Sequence, residues 1–374
     1  MVNWISQAKP LDLLRRGMSR RPWYVVLYVT SHCNQRCNMC FNWKNLNTLK
    51  RSEEWSLDEI RLLAEQLPDL YQLTLTGGEP TLRQDLGEII EIFFNVAGVS
   101  RITVATNGSY PDRVDRLIRQ VTNSCPGLTL SINLSIDGIG QAHDQIRGMP
   151  GSFDRLVETW HIANQHSKKS SQVNVATASV LTAGNLAQMK DLLNWVAANM
   201  DIGSHGVMLA RGDVATQAGA AASEDDFIGI LRYHSALARS AGRLNQVLAD
   251  EYFRCRVKTI KSRKMANPCR SGDKLIIIDE KANVHPCEIL NVLAAAGKTG
   301  DSDLGDFSFG NLRTSNFNLG SLLESPRAKE IRRFIQEERC WCTFECAQIN
   351  NLVLDPLSYL RLFGRVIGVG ERVC

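Results

Sequence analysis

Six strand-like stretches alternate with stretches of helical period across about two hundred residues, and that alternation restricts the fold more than any other feature of the chain. Residues 23–30 are apolar almost throughout, as expected of a parallel strand buried on both faces. Further strands are expected over 72–76, 101–105, 129–136, 173–181 and 205–210. Helices are expected between them, over 56–66, 86–95, 112–121, 153–166 and 186–199. The first has Ser56 as its N-cap, ahead of Asp58 and Glu59. Such alternation implies an α/β fold, a parallel sheet covered by helices. The strands end in polar and glycine-containing turns: Gly77-Gly78, Thr106-Asn107-Gly108, Asp137-Gly138 and Arg211-Gly212. Barrel-type sheets place their active sites at that end.

Directly after the first strand comes Ser31-His32-Cys33-Asn34-Gln35-Arg36-Cys37-Asn38-Met39-Cys40-Phe41. The spacing C-x3-C-x2-C wraps three thiolates around one small centre. Iron–sulfur clusters take such ligands, usually four per cluster. Three leave one iron without a protein ligand, and an open metal position is a place for chemistry. Zinc is the competing reading, but a structural zinc loop would bring a fourth Cys or His in the same knuckle. His32, adjacent to Cys33, is poorly placed to chelate the same ion.

The charge of +4 is mild and does not call for nucleic acid. No apolar stretch approaches the ~20 residues of a spanning helix. The N-terminus lacks a signal peptide's apolar core, so a cytoplasmic protein is expected. In a reducing compartment, eleven cysteines point to metal ligands more than to disulfides. Three fall at 33–40 and five at 269–346, while Cys125, Cys255 and Cys374 stand apart as core or surface thiols.

Five regions are expected: an N-terminal segment, 1–22, with an amphipathic stretch at 11–16 and the basic Arg20-Arg21; a core, 23–213; a linker or hinge and helical segment, 214–267; a cysteine-bearing module, 268–350; and a tail, 351–374.

The core resembles the radical S-adenosylmethionine (radical SAM) superfamily over about residues 23–212. Cys33, Cys37 and Cys40 match its cluster motif, and Thr76-Gly77-Gly78-Glu79-Pro80 matches its second motif. The resemblance implies a partial (β/α)6 TIM-type barrel. It implies a four-iron cluster whose open iron is chelated by SAM, with Glu79 pairing with the SAM ammonium. Gly77 and Gly78 would let backbone approach that ligand closely. Asn107, Ser135, Asp137 and Arg147 fall where the family contacts SAM, and Arg211 could meet a carboxylate of SAM or substrate. Its alternative is a surface salt bridge. The residue before the third cysteine, often aromatic in the family, is Met39, which still offers an apolar face near adenine.

The second cysteine group resembles the superfamily's C-terminal auxiliary-cluster module, in the smaller twitch form of the SPASM type. Two short strands, 275–279 and 282–285, form a hairpin between Cys269 and Cys287. Cys340, Cys342 and Cys346 follow as C-x-C-x3-C. The preferred ligands for a second four-iron cluster are Cys269, Cys287, Cys342 and Cys346. Cys340 is the doubtful member, because C-x-C leaves little chain for two thiolates to reach one centre. Zinc is again the alternative.

The resemblance thus implies reductive cleavage of SAM to a 5′-deoxyadenosyl radical, hydrogen abstraction, and an auxiliary cluster accepting the second electron in a net oxidation. An electron donor of flavodoxin or ferredoxin type goes with it. Only about twenty residues precede the first strand, too few for an independent leader-binding domain. The expected substrate is therefore a small polar molecule, with a peptide as the second reading. His143, His205, Asp213 and Glu288 are candidate proton acceptors. A non-catalytic iron–sulfur or zinc sensor is the reading from a different class, and the Gly77-Gly78-Glu79 site weighs against it.

Overall fold

The computed structural model describes residues 19, 21–237, 243–295, 305–337 and 339–366. The amphipathic stretch at 11–16, Arg20 and Cys374 lie outside the described residues.

All six expected strands form: β1 (Tyr24–Thr30), β2 (Gln72–Gly77), β3 (Arg101–Thr106), β4 (Thr129–Ser135), β5 (Val173–Leu181) and β6 (Ser204–Leu209), each parallel to its neighbour. The helices between them are α1 (Leu57–Glu65), α2 (Leu86–Ala97), α3 (Pro111–Ser124), α4 (Gln141–Arg147), α5 (Ser152–Lys169) and α6 (Leu186–Asn199). Helix α1 starts where the sequence reading put it. Ser56 Oγ accepts the Glu59 N–H at 3.2 Å and Glu59 returns a carboxylate to the Ser56 N–H at 3.1 Å. The helical segment that follows the core divides into α7 (Glu224–Leu237) and α8 (Arg243–Ser262).

Strand alternation sorts the side chains onto two faces. Leu73, Leu75, Ile102, Val104, Leu130 and Ile132 are fully buried against the helices, with Ile60, Leu63, Ile89 and Phe93. Burying each such side chain stabilises by about 1.5–3 kcal/mol. The opposite face carries Gln72, Thr74, Thr103, Ser131, Asn133 and Asn174, all half-buried. The inward face is therefore polar along β2–β5, while Val26 and Tyr28 of β1 and the strand after Lys274 close it with a buried apolar cluster.

The C-terminal region holds β7 (Leu275–Ile278), β8 (Asn283–His285), α9 (Leu290–Ala295), β9 (Gly310–Asn311), α10 (Leu319–Glu324), α11 (Pro326–Gln336), α12 (Glu345–Leu354) and α13 (Pro356–Val366). The expected hairpin is present as β7–β8, with Ile278 opposite Val284. It does not stand apart from the core. Strand β7 pairs parallel to β1, Tyr24 opposite Leu275, so one sheet runs β6-β5-β4-β3-β2-β1-β7-β8-β9. It is an open, partial barrel with β6 and β9 at its edges. Among the described residues, no helix is long and apolar enough to cross a membrane.

The segment after β6, expected as a hinge, is packed instead. Thr182 bridges to Ala221, and the Thr216 N–H donates to Asn38 O in the cysteine loop at 3.1 Å. A Cβ on Gly219 would lie 2.0 Å from Asn38 O. Its small residues serve close approach, which composition does not distinguish from flexibility.

In the β7–β8 turn, Glu280 is buried, and burial pushes its carboxyl up to about 7. The group is neutral in both states below the ordinary glutamate value. Between there and pH 7 only the unfolded chain ionises, so stability falls as pH rises, by about 3 kcal/mol in all. Glu280→Gln is expected to remove this decline. Denaturant melts of both proteins at pH 5 and pH 8 measure it, and equal pH slopes would refute it.

Candidate active site

The three cysteines lie on the loop leaving β1, and several elements fix that loop. Gly78 N–H donates to Thr30 O at 2.8 Å and Glu79 N–H to His32 O at 2.7 Å. A Cβ on Gly77 would fall 2.3 Å from Thr30 O, and one on Gly78 2.1 Å from His32 O. Both glycines are thus required by the approach of the β2 turn to the cysteine loop, a backbone contact that the ligand-based sequence reading did not contain. On the far side, His32 Nδ1 meets Glu54 Oε1 at 2.8 Å. The ring is held by that carboxylate, 2.8 Å away, one residue ahead of the thiols.

Burial pushes the thiols up, Cys33 to about 12 and Cys40 to about 11, with Cys37 moved the same way. Without a cation to bind, these sulfurs keep their protons at neutral pH, so metal binding must displace protons. Cys33, Cys37 and Cys40 supply a soft donor set fit for an iron–sulfur cluster. Among the described residues no three Cys, His, Asp or Glu groups converge on one point as ligands of a single ion.

Glu79 is buried and accepts four hydrogen bonds, three on Oε1 and one on Oε2. Its Oε1 accepts from Thr81 N at 3.0 Å, Thr81 Oγ1 at 2.5 Å and Thr106 Oγ1 at 2.7 Å, and its Oε2 from Asn107 N at 2.7 Å. Burial raises its pKa and these bonds oppose the rise. Four donors fix the carboxylate at the ends of β2 and β3, beside the cysteine loop. Asn107 continues the link, its Nδ2 donating to Asn34 Oδ1 at 2.9 Å, next to Cys33. Met39 is buried within the same loop, and Ser135 closes β4 half-buried. Asp137 and Arg147 form a buried ion pair, and Arg147 Nη1 reaches Cys37 Sγ at 3.6 Å.

Arg211 is neither free nor on the surface. It donates to Glu288 at 2.5 Å and Glu345 at 3.2 Å, and its guanidinium lies over the rings of Phe41 and Phe344. Glu345 also binds Arg256 at 3.1 Å, and Tyr28 donates to Glu288. The chain Tyr28–Glu288–Arg211–Glu345–Arg256 alternates in charge and joins residues beside both cysteine groups.

In the second group, Cys269, Cys287, Cys340 and Cys342 line one cavity with Met265, Ile289 and Trp341. Burial raises Cys287, Cys340 and Cys342, and the next causes are their neighbouring thiols. Cys346 lies outside that lining: Tyr24 Oη donates to its Sγ at 3.2 Å, and Glu288, Glu345 and Arg211 act on it electrostatically. That cavity takes in Cys340, the member held doubtful from spacing, while Cys346 packs with Cys287 and Cys342 on the neighbouring cluster of Val26, Tyr28 and Ile277. Residues 339–344 form neither helix nor strand.

The radical SAM superfamily model matches residues 27–196. GTP 3',8-cyclase of Tolumonas auensis is 31% identical over 191 residues, 50% of this chain and 54% of the relative. Fe-coproporphyrin III synthase of Methanosarcina barkeri is 29% identical over 167 residues, 44% of this chain and 39% of that one. The chain spans about half the length, or less, of these curated relatives. Among solved structures, native anSMEcpe with bound AdoMet aligns with TM-score 0.60 at 14% identity, over 93% of this chain and 100% of the other. Streptococcus suis SuiB bound to precursor peptide SuiA aligns with TM-score 0.57 at 14% identity, over 86% of this chain and 69% of the other. At such identity the likeness is one of fold.

Proposed function

The chain belongs to the radical SAM superfamily through residues 27–196, and on that premise we propose that Cys33, Cys37 and Cys40 hold a four-iron cluster serving hydrogen abstraction from a polar substrate inside the barrel. The observation that carries this reading is the contact between the two motifs: the Gly77-Gly78-Glu79 turn is bonded to the cysteine loop at Thr30 and His32. When bound, the cluster supplies the electron that splits SAM into methionine and a 5′-deoxyadenosyl radical. Glu79 and Asn107 give the amino acid end of SAM a fixed, buried set of polar groups. Ser135 is proposed to meet its ribose and Met39 its adenine.

Cys269, Cys287, Cys340 and Cys342 are proposed to hold a second four-iron cluster, the auxiliary centre, which makes the net reaction an oxidation. Four thiolates suit electron transfer, and zinc in the same set is the alternative. Among His143, His205, Asp213 and Glu288, the proposed proton acceptor is Glu288. It follows Cys287 and bonds to Tyr28 and Arg211. His143 is wholly buried, and burial depresses it to about 3. His205 packs on Thr177 and Ser179, and Asp213 pairs with Lys44 at the surface.

The polar inward face of β2–β5, with Gln72, Thr103, Ser131, Asn133 and Asn174, favours a small hydrophilic substrate. A peptide is the second reading, supported by the fold shared with the SuiB complex with a precursor peptide. The reductant proposed is a flavodoxin- or ferredoxin-type protein.

Anaerobic reconstitution followed by iron counting and assay of 5′-deoxyadenosine tests the reading. About eight irons per chain, from two four-iron clusters, are expected, with SAM cleaved under dithionite. About four would remove the auxiliary cluster and the oxidation with it. Glu79→Gln is expected to keep the iron and lose SAM turnover by two orders of magnitude or more, about 3 kcal/mol of binding and positioning. A wild-type protein that binds iron yet never cleaves SAM would leave the sensor reading standing.

A further inference from the structure

The resemblance places Arg147 among the groups around SAM, yet its guanidinium is engaged elsewhere. Nη1 donates to Cys37 Sγ at 3.6 Å, and Nη2 is paired with Asp137 Oδ2. Asp137 is anchored in turn, its Oδ1 accepting the Val180 N–H at 2.6 Å. The two side chains are 10% and 0% exposed, so water does little to screen them. The backbone of α4 holds the same cysteine. Arg147 O accepts the Arg36 N–H and Ile146 O the Asn38 N–H, both at 3.0 Å, one on each side of Cys37. Gly148 then turns away with φ +62, and a Cβ there would lie 2.7 Å from Arg36 O. The end of α4 is a mount for Cys37, and Arg147 is the charge that it presents to the sulfur.

We propose that Arg147, held in place by Asp137, sets the reduction potential of the core cluster through its N–H···S bond to Cys37. It is a positioning residue for the cluster, and the inference rests on the reading of Cys33, Cys37 and Cys40 as ligands. Reduction adds one negative charge to the cluster. A cation hydrogen-bonded to a ligand sulfur favours that reduced state, and hydrogen bonds to the sulfurs are a recognised determinant of cluster potential. Asp137, on the far side of the guanidinium, partly cancels its charge. Removing the two partners therefore shifts the potential in opposite directions.

The experiment is EPR-monitored potentiometry of the whole 374-residue chain, anaerobically reconstituted and without SAM, the core signal being the one that Cys37→Ala lacks. In Arg147→Gln the reduced fraction at a fixed solution potential is expected to fall at least tenfold, a lowering of about 59 mV for a one-electron couple. Arg147→Lys, which keeps the charge without the planar fork, falls between. Asp137→Asn raises the potential. Unchanged potentials, or shifts of the same sign in Arg147→Gln and Asp137→Asn, overturn the proposal, since loosened packing has no reason to reverse sign. If Arg147→Gln does not hold its iron, Asp137→Asn decides, and an unchanged or lowered potential there overturns it. Absence of a core signal from the wild-type protein would instead defeat the ligand reading on which the proposal rests.

Discussion

In Cys37→Ala, 5′-deoxyadenosine formation is expected to fall to background while about four irons, one cluster's worth, remain bound. Cys37 is the central thiol of the three, and it is bracketed by the backbone bonds from Arg36 and Asn38 to the end of α4. Its removal leaves two thiols for a cluster that already has an open iron, while the four thiols around the second cavity are untouched. Cys255→Ala serves as the control, because its sulfur belongs to neither group and lies near Glu251. The pair of variants is measured by iron and sulfide content and by chromatographic assay of SAM products. Loss of all iron in Cys37→Ala would mean that the second group holds none, and SAM cleavage at the wild-type rate would sink the assignment of the site.

The second large effect is on stability. Glu345 is 3% exposed and its two oxygens face two guanidiniums, Arg211 at 3.2 Å and Arg256 at 3.1 Å. Glu345→Gln leaves two buried cations with Glu288 as the remaining carboxylate of the chain, and points amide hydrogens at a donor. Breaking a buried pair by removing one partner costs about 3–5 kcal/mol, because the charge left behind stays desolvated. A fall of that size in unfolding free energy is expected from denaturant melts of the apoprotein. A change under about 1 kcal/mol, the size of a surface pair, would show that the network is far better hydrated than its burial indicates.

Much of this architecture was legible because it is local. The period-2 pattern of β2, β3 and β4, the Ser56 cap and the three cysteines within eight residues each carry their meaning in a short window. What escaped was set by distant partners. Helix α4, Gln141–Arg147, buries His143 and Arg147 rather than an apolar stripe, so no hydrophobic period announces it. Asp137 and Arg147 were both legible as polar residues near a site, but their mutual pairing depends on α4 turning back over the cysteine loop. The entry of Cys340 into the lining of the second cavity depends on the backbone of 339–344, which spacing alone does not fix. Gly77 and Gly78 were legible as positions of close approach and Gly219 only as part of an expected hinge, yet all three face the carbonyls of Thr30, His32 and Asn38, which no window around them contains.

The pairing of β1 with β7 has a consequence for the order in which the chain is made. Tyr24 and its partner Leu275 are 251 residues apart (275 − 24). At about 5–20 residues per second, a ribosome needs about 10–50 s to deliver β7 after β1 has emerged. Until then β1, the strand that leads into the cysteine loop, is an open edge, the kind of surface on which other chains add strands. Translation of this protein therefore includes a window of vulnerability, and a ribosome stalled before residue 275 leaves that edge bare.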